Sequence, residues 1–152
     1  MLFMRIFILG VLVIFFSPIN SISSELAFPK FDANGADSIC KKKWSKRGVL
    51  NENMHKYCMD LKAEDYEEAL AIYNEYKSEK WIDDVVKFSF EKWTKEGNTD
   101  YTMVGFQLKT EKEGFLNVQY GIQQNSLSQD IVNKCKKKWY PQYSMIDFCT
   151  TK

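Results

Sequence analysis

The residues best equipped for chemistry in this sequence are two lysine runs, each between a cysteine and a tryptophan. Lys41, Lys42 and Lys43 lead from Cys40 into Trp44, and Lys136, Lys137 and Lys138 lead from Cys135 into Trp139. Cations beside an indole could hold an anionic envelope polymer, or a sugar stacked on the ring. Consecutive lysines on a helix, however, fan over more than half its circumference, and a tryptophan recurring at one position usually serves packing. The expectation is a solvated lysine face with the indole in the core, and low-priority ligand contacts at these eight residues.

The single histidine, His55, is the other candidate. A small hydrolase or toxin would need it in a deep pocket with two acids, and Asp60 and Glu64 follow at helical spacing. No positioned nucleophile or second ligand accompanies it. The carboxylate pairs Asp83-Asp84 and Glu67-Glu68 are adjacent in sequence and so splay apart on a helix. One histidine also excludes every metal site built on two or more. The sequence therefore offers no catalytic constellation, no metal site and no cofactor site.

Composition is that of a small folded domain: 152 residues, 45% hydrophobic and 27% charged. Twenty-one basic residues against 20 acidic ones give a net charge of +1, without the basic field of a nucleic-acid binder. The N-terminus carries Arg5, an apolar run from Ile6 to Phe16, a Ser17-Pro18 break, and small residues at Ser21 and Ser23. That is the pattern of a secretory signal peptide over residues 1–23, cleaved after Ser23. The run is too short and interrupted for a permanent membrane span, which needs about 20 apolar residues. The first cysteine is Cys40, so no lipidated amino-terminal cysteine is expected. Export to the periplasm or medium, an oxidising setting, makes two disulfides the expected state of the four cysteines.

The chain repeats itself. The run Cys-Lys-Lys-Lys-Trp occurs twice, at 40–44 and 135–139. Each copy is followed by methionine, two residues, an aromatic and a cysteine: Met54, Tyr57 and Cys58, then Met145, Phe148 and Cys149. A middle copy lies 49 residues after the first, with Lys92-Trp93 on Lys43-Trp44, Gly97 on Gly48, and Met103 and Phe106 on Met54 and Tyr57. There Ser89 and Gln107 replace both cysteines. Their joint loss is what pairing inside each unit predicts, because losing one partner would leave an orphan thiol. The expected bridges are Cys40–Cys58 and Cys135–Cys149, worth about 3 kcal/mol each in the chain-entropy account.

The stretch before each tryptophan has helical spacing, as in Trp81, Val85, Phe88 and Trp93, or Leu127, Ile131, Cys135 and Trp139. Ser126 with Gln129 reads as a capping box, Gly48 and Gly97 as left-handed helix ends, and Pro141 as a stop. After the turn, Met54, Tyr57, Cys58 and Leu61 form one apolar stripe, continued by Tyr66, Ala69, Tyr73 and Tyr76. That tyrosine stripe either packs within the array or docks a partner helix. Residues 102–108 and 116–122 alternate like strands, with Glu113-Gly114 as a turn. The gapless match to residues 51–73 imposes a helix instead, in which Gly114 and Gly121 are weak points costing about 1 kcal/mol each against alanine.

The chain is thus expected to be all-α: an N-terminal extension, 24–35, then an array of disulfide-pinned helical hairpins over 36–152, with units of about 36–78, 79–125 and a short 126–152. The cysteine, the tryptophan four residues on, and the methionine, aromatic and cysteine that follow resemble a motif of small exported bacterial proteins of uncharacterised function. Residues 40–66, 89–115 and 135–149 carry the resemblance. It implies a structure and no activity. Helical-repeat arrays commonly serve as binding platforms. The expected role is a non-catalytic interaction module of the cell envelope, its partner an envelope or secreted protein, with an anionic envelope polymer as the alternative.

Overall fold

The computed structural model describes residues 27–152; the signal-peptide reading of 1–23 lies outside them. Asp32 opens the first helix, α1 (Ala33–Trp44), its carboxylate accepting from the N–H groups of Asn34 and Gly35. Lys41, Lys42 and Lys43 occupy the last turn, where cations favour the carbonyl end of the helix dipole. The chain then makes a two-residue strand β1 (Ser45–Lys46), a turn, and its antiparallel partner β2 (Val49–Leu50). Asn51 caps the long helix α2 (Glu52–Tyr76), its side chain accepting from Met54 N–H at 3.1 Å.

The same succession repeats as α3 (Lys80–Trp93), β3 (Thr94–Lys95), β4 (Asn98–Thr99) and α4 (Tyr101–Gln123). Agreement reaches single hydrogen bonds. Asn51 N–H donates to the Trp44 carbonyl at 3.0 Å, and Asp100 N–H donates to the Trp93 carbonyl at 2.9 Å. The third unit has α5 (Gln129–Trp139) and α6 (Tyr143–Thr150), joined through a cis Tyr140-Pro141 bond in place of the strand pair.

Two local expectations are corrected. Gly48 and Gly97 do not end helices. They are the second members of left-handed pairs, Arg47-Gly48 (φ 53° and 81°) and Glu96-Gly97 (φ 51° and 78°), which turn the small β-hairpins. The cap of α5 is Ser128, whose hydroxyl accepts from Ile131 N–H, and not Ser126. Ser126 instead folds back, donating through its N–H and hydroxyl to the Gly121 carbonyl at the end of α4.

The structure confirms the all-α array and both bridges: Cys40–Cys58 and Cys135–Cys149 join the two helices of their own units, with Cα–Cα separations of 5.8 and 5.9 Å. Residues 101–122 are helical despite their strand-like alternation. Gly114 is a necessity of packing there: a Cβ would lie 2.5 Å from the Ser144 backbone nitrogen, so glycine lets α6 rest on α4.

The second helices α2, α4 and α6 lie side by side and run parallel. Lys62 meets Asp100, Asp65 lies over Gly105 and Glu75 meets Lys112, both sequence numbers rising together. Across the next pair, Glu111 meets Ser144 and Asn117 meets Asp147. Each partner falls about ten residues short of the position that repeat matching assigns, which at 1.5 Å per residue is a step of roughly 15 Å along the helix axis. The units therefore climb like stairs.

The core between the layers holds Ile82, Val85, Val86, Val104, Leu108, Val118, Val132 and Ile146, all fully buried. The tyrosine stripe belongs to the array itself. Tyr66 and Tyr73 pack against Phe28, Tyr66 also against Phe31, and Tyr76 against Trp81. Phe28 and Phe31 thus fasten the segment before α1 to α2, α3 and α4, through Tyr66, Phe90 and Tyr101.

Candidate interaction surface

Each unit ends its first helix with a lysine lying over the tryptophan that follows it. The ammonium-to-ring distances are 5.6 Å for Lys43–Trp44, 5.0 Å for Lys92–Trp93 and 4.9 Å for Lys138–Trp139. These are cation–π contacts within the chain, so the indole faces that a sugar would use are shared with the protein's own lysines. The three tryptophans are half-buried. Trp93 and Trp139 lean on the main core, and Trp44 lines a cleft.

The remaining lysines of the runs are placed by other contacts. Lys41 pairs with Asp37 at 2.7 Å and Lys136 lies 5.5 Å over the Tyr143 ring. Lys42 and Lys137 are exposed. The structure does not gather the two runs into one patch by any contact between them; each serves the end of its own helix.

What repeats on the surface is aromatic. Tyr57, Phe106 and Phe148 occupy one position in successive second helices and are 60%, 63% and 53% exposed. The apolar stripe through Met54 and Cys58 had assigned Tyr57 to the buried face. It points outward because the disulfide holds Cys58, its neighbour, against α1. With a step of roughly 15 Å along the axis and the 8–10 Å spacing of packed helices, neighbouring rings in the row stand about 18 Å apart. The sequence carried a signal for this row in the recurring Met-x2-aromatic pattern, but periodicity alone could not say that the ring faced water.

The step between α2 and α4 leaves the first turns of α2 without a neighbouring second helix, and a cleft of about 290 Å³ opens there. Lys43, Trp44, Tyr57, Leu61 and Met103 line it, together with the ion pair of Lys62 and Asp100 at 2.9 Å. The indole Nε1 of Trp44 is shielded from solvent and has no hydrogen-bond partner among the described residues. In the middle unit Gln107 stands at the position of Cys58, and its Oε1 accepts from Lys92 Nζ at 3.0 Å and Trp93 Nε1 at 3.5 Å.

His55 is half-buried, and Asp37 of α1, not Asp60 or Glu64, is its partner, 2.9 Å from Nε2. Asp60 pairs with Lys56 on its own helix. Lys41 and His55 together hold the Asp37 carboxyl below its ordinary value, the hydrogen bond from Lys41 being the larger cause. The histidine thus ties α1 to α2 beside the first disulfide. Among the described residues there is no group of three or more histidine, cysteine or acidic side chains able to hold a metal.

The two disulfides mark a protein of an oxidising compartment. Among the described residues no helix is long and apolar enough to cross a membrane. Comparison with protein-family models, curated proteins and solved structures finds no match.

Proposed function

We propose that this chain is an exported, non-catalytic binding module of the cell envelope that grips an extended protein partner along the row Tyr57, Phe106 and Phe148. The observation that carries the reading is the recurrence of a majority-exposed aromatic ring at one position of every unit. Burying an aromatic side chain is among the largest single gains available to an interface, and the repeat offers three such rings at one position. Export is supported by the leader pattern of residues 1–23 and by the two bridges, and an envelope or secreted partner follows from that address.

The test is capture from the native envelope with the full chain and with a Tyr57→Ala, Phe106→Ala, Phe148→Ala variant. A partner lost by the variant, while its helical circular dichroism and melting stay unchanged, supports the reading. Equal capture by both proteins overturns it. Capture that instead fades with salt and with glutamine at Lys41 to Lys43 and Lys136 to Lys138 would transfer the role to an anionic polymer.

A further inference from the structure

The two β-hairpins share one backbone and differ in what covers them. In the middle unit β4 lies against α1: Thr99 is buried, and Lys42 of α1 shares a hollow with Glu96 and Asp100. The first hairpin has no preceding unit, and Ser45 to Val49 are all exposed. An end unit ordinarily turns polar where its neighbour is missing, and the helix does so: Glu52, His55 and Lys56 stand where α4 has the buried Tyr101, Val104 and Gly105. The hairpin does the reverse. Val49 and Leu50 stand where the covered hairpin has Asn98 and Thr99, and Val49, 72% exposed, is the most exposed large apolar side chain among the described residues.

Charge is inverted as well. Arg47 stands for Glu96 and Asn51 for Asp100, so residues 45–51 carry +2 where residues 94–100 carry −1. A second copy stacked as the units are would lay its α5, with Lys136, Lys137 and Lys138, on this hairpin, where the acids to receive them are gone. An open hollow of about 850 Å³ beside the hairpin is lined by Lys43, Lys46 and Arg47, with no acidic residue among its described lining. We propose that the first hairpin docks the protein on an anionic lipid bilayer, Lys43, Lys46 and Arg47 taking the phosphate headgroups while Val49 enters the interface between them. Cations beside an exposed apolar side chain match the order of a bilayer surface, charged headgroups outside and hydrocarbon beneath. A soluble anion or a polymer chain would use the cations and leave Val49 in water. None of Tyr57, Phe106 and Phe148 lines the hollow, so this site is separate from the aromatic row.

The test floats the exported, oxidised protein with vesicles of phosphatidylcholine, alone or mixed equally with phosphatidylglycerol. The expected result is flotation with the anionic vesicles only, weakening as salt rises. The variants take residues that the middle unit already carries in the same turn, where Arg47 and Glu96 have φ of 53° and 51°. Arg47→Glu, a change of two charges, should lower partitioning about 25-fold, at about fivefold per charge. Val49→Asn should lower it about tenfold, the loss of one buried aliphatic side chain. Lys137→Gln, one charge removed from the third unit, should stay within about twofold. Helical circular dichroism should be the same for all. Equal flotation with neutral vesicles, or none with either, overturns the proposal. So does a loss in Lys137→Gln as large as in Arg47→Glu, or unchanged partitioning of Val49→Asn, which would mark a site for soluble phosphate or an anionic polymer.

Discussion

Lys62 and Glu111 occupy the same position in successive units, carry opposite charges, and both reach the beginning of the next second helix. Lys62 Nζ donates to Asp100, the residue that precedes α4, at 2.9 Å. Glu111 accepts from the backbone N–H and the hydroxyl of Ser144, in the first turn of α6, at 2.8 and 3.1 Å. Both are buried, and each spans the step by which one unit is displaced on the last. The parallel stagger of the second helices is fastened at these two points by polar contacts, which fix position more narrowly than apolar packing does.

Removing Glu111 should therefore cost far more than its surroundings suggest. Glu111→Leu leaves Ser144 N–H and Gln107 Nε2 without acceptors inside the protein, and the expected loss is about 3 kcal/mol. Glu113→Ala, an exposed neighbour, should stay within about 0.5 kcal/mol. Urea unfolding of the two variants checks this: the midpoint should fall in the first with an unchanged slope and stay put in the second.

The glycines of α4 separate packing from propensity. Alanine at either position gains about 1 kcal/mol of helix propensity. At Gly114 the new methyl would meet the Ser144 backbone, which cannot withdraw without parting α4 from α6, so a net loss of about 2 kcal/mol is expected. At Gly121 it would meet the end of the Leu127 side chain, which can rotate away, and the change should be within about 0.5 kcal/mol of neutral. Equal effects at the two positions, measured by thermal or urea unfolding, would contradict this account.

That contrast separates what a local pattern of residues carries from what only tertiary contact decides. Both glycines looked alike as helix-weakening residues, because helix propensity is local and the approach of Ser144 is not. The bridges were legible, since Ser89 and Gln107 lose both thiols of one unit together. The helical fate of 101–122 was legible only through the match to α2, its own alternation pointing the other way. The turn residues Arg47-Gly48 and Glu96-Gly97 were readable as left-handed positions, but the same signal serves a helix end and a hairpin, and only the strand pairing decides. The aromatic row was hidden because a stripe at i, i+3 and i+4 marks a face without saying whether that face meets protein or water.

The bridges themselves should show unequal dependence of the units on covalent closure. They close loops of 18 and 14 residues, and each is worth about 3 kcal/mol in the chain-entropy account. Peptide mapping without reduction should yield only the 40–58 and 135–149 links. Cys135→Ser with Cys149→Ser should lower the free energy of unfolding read from urea titration by that amount, and the amides of α6 should lose hydrogen-exchange protection before those of α4. The reason is length: α6 has 8 residues and α4 has 23.

Stability should also fall at both ends of the pH scale, for separate reasons. The Asp37 carboxyl sits below its ordinary value of 3.8, chiefly through the hydrogen bond from Lys41, so its contribution is present above that value and disappears as pH drops through the lower folded one. Asp37→Asn should shallow the acid limb of a stability profile. In the alkaline direction, burial raises Tyr140, Tyr143, Tyr66 and Tyr76 above 10, and Asp84, accepting from the Tyr140 hydroxyl, adds to the effect there. The unfolded chain then releases protons that the folded one keeps, so stability is whole below pH 10 and declines as pH rises toward the folded values. The ultraviolet signal of tyrosinate should accordingly appear in two stages, the later one coinciding with loss of helical circular dichroism, and Tyr140→Phe should diminish that later stage. A single tyrosinate stage completed while the helices persist would show that these four hydroxyls are not held as described.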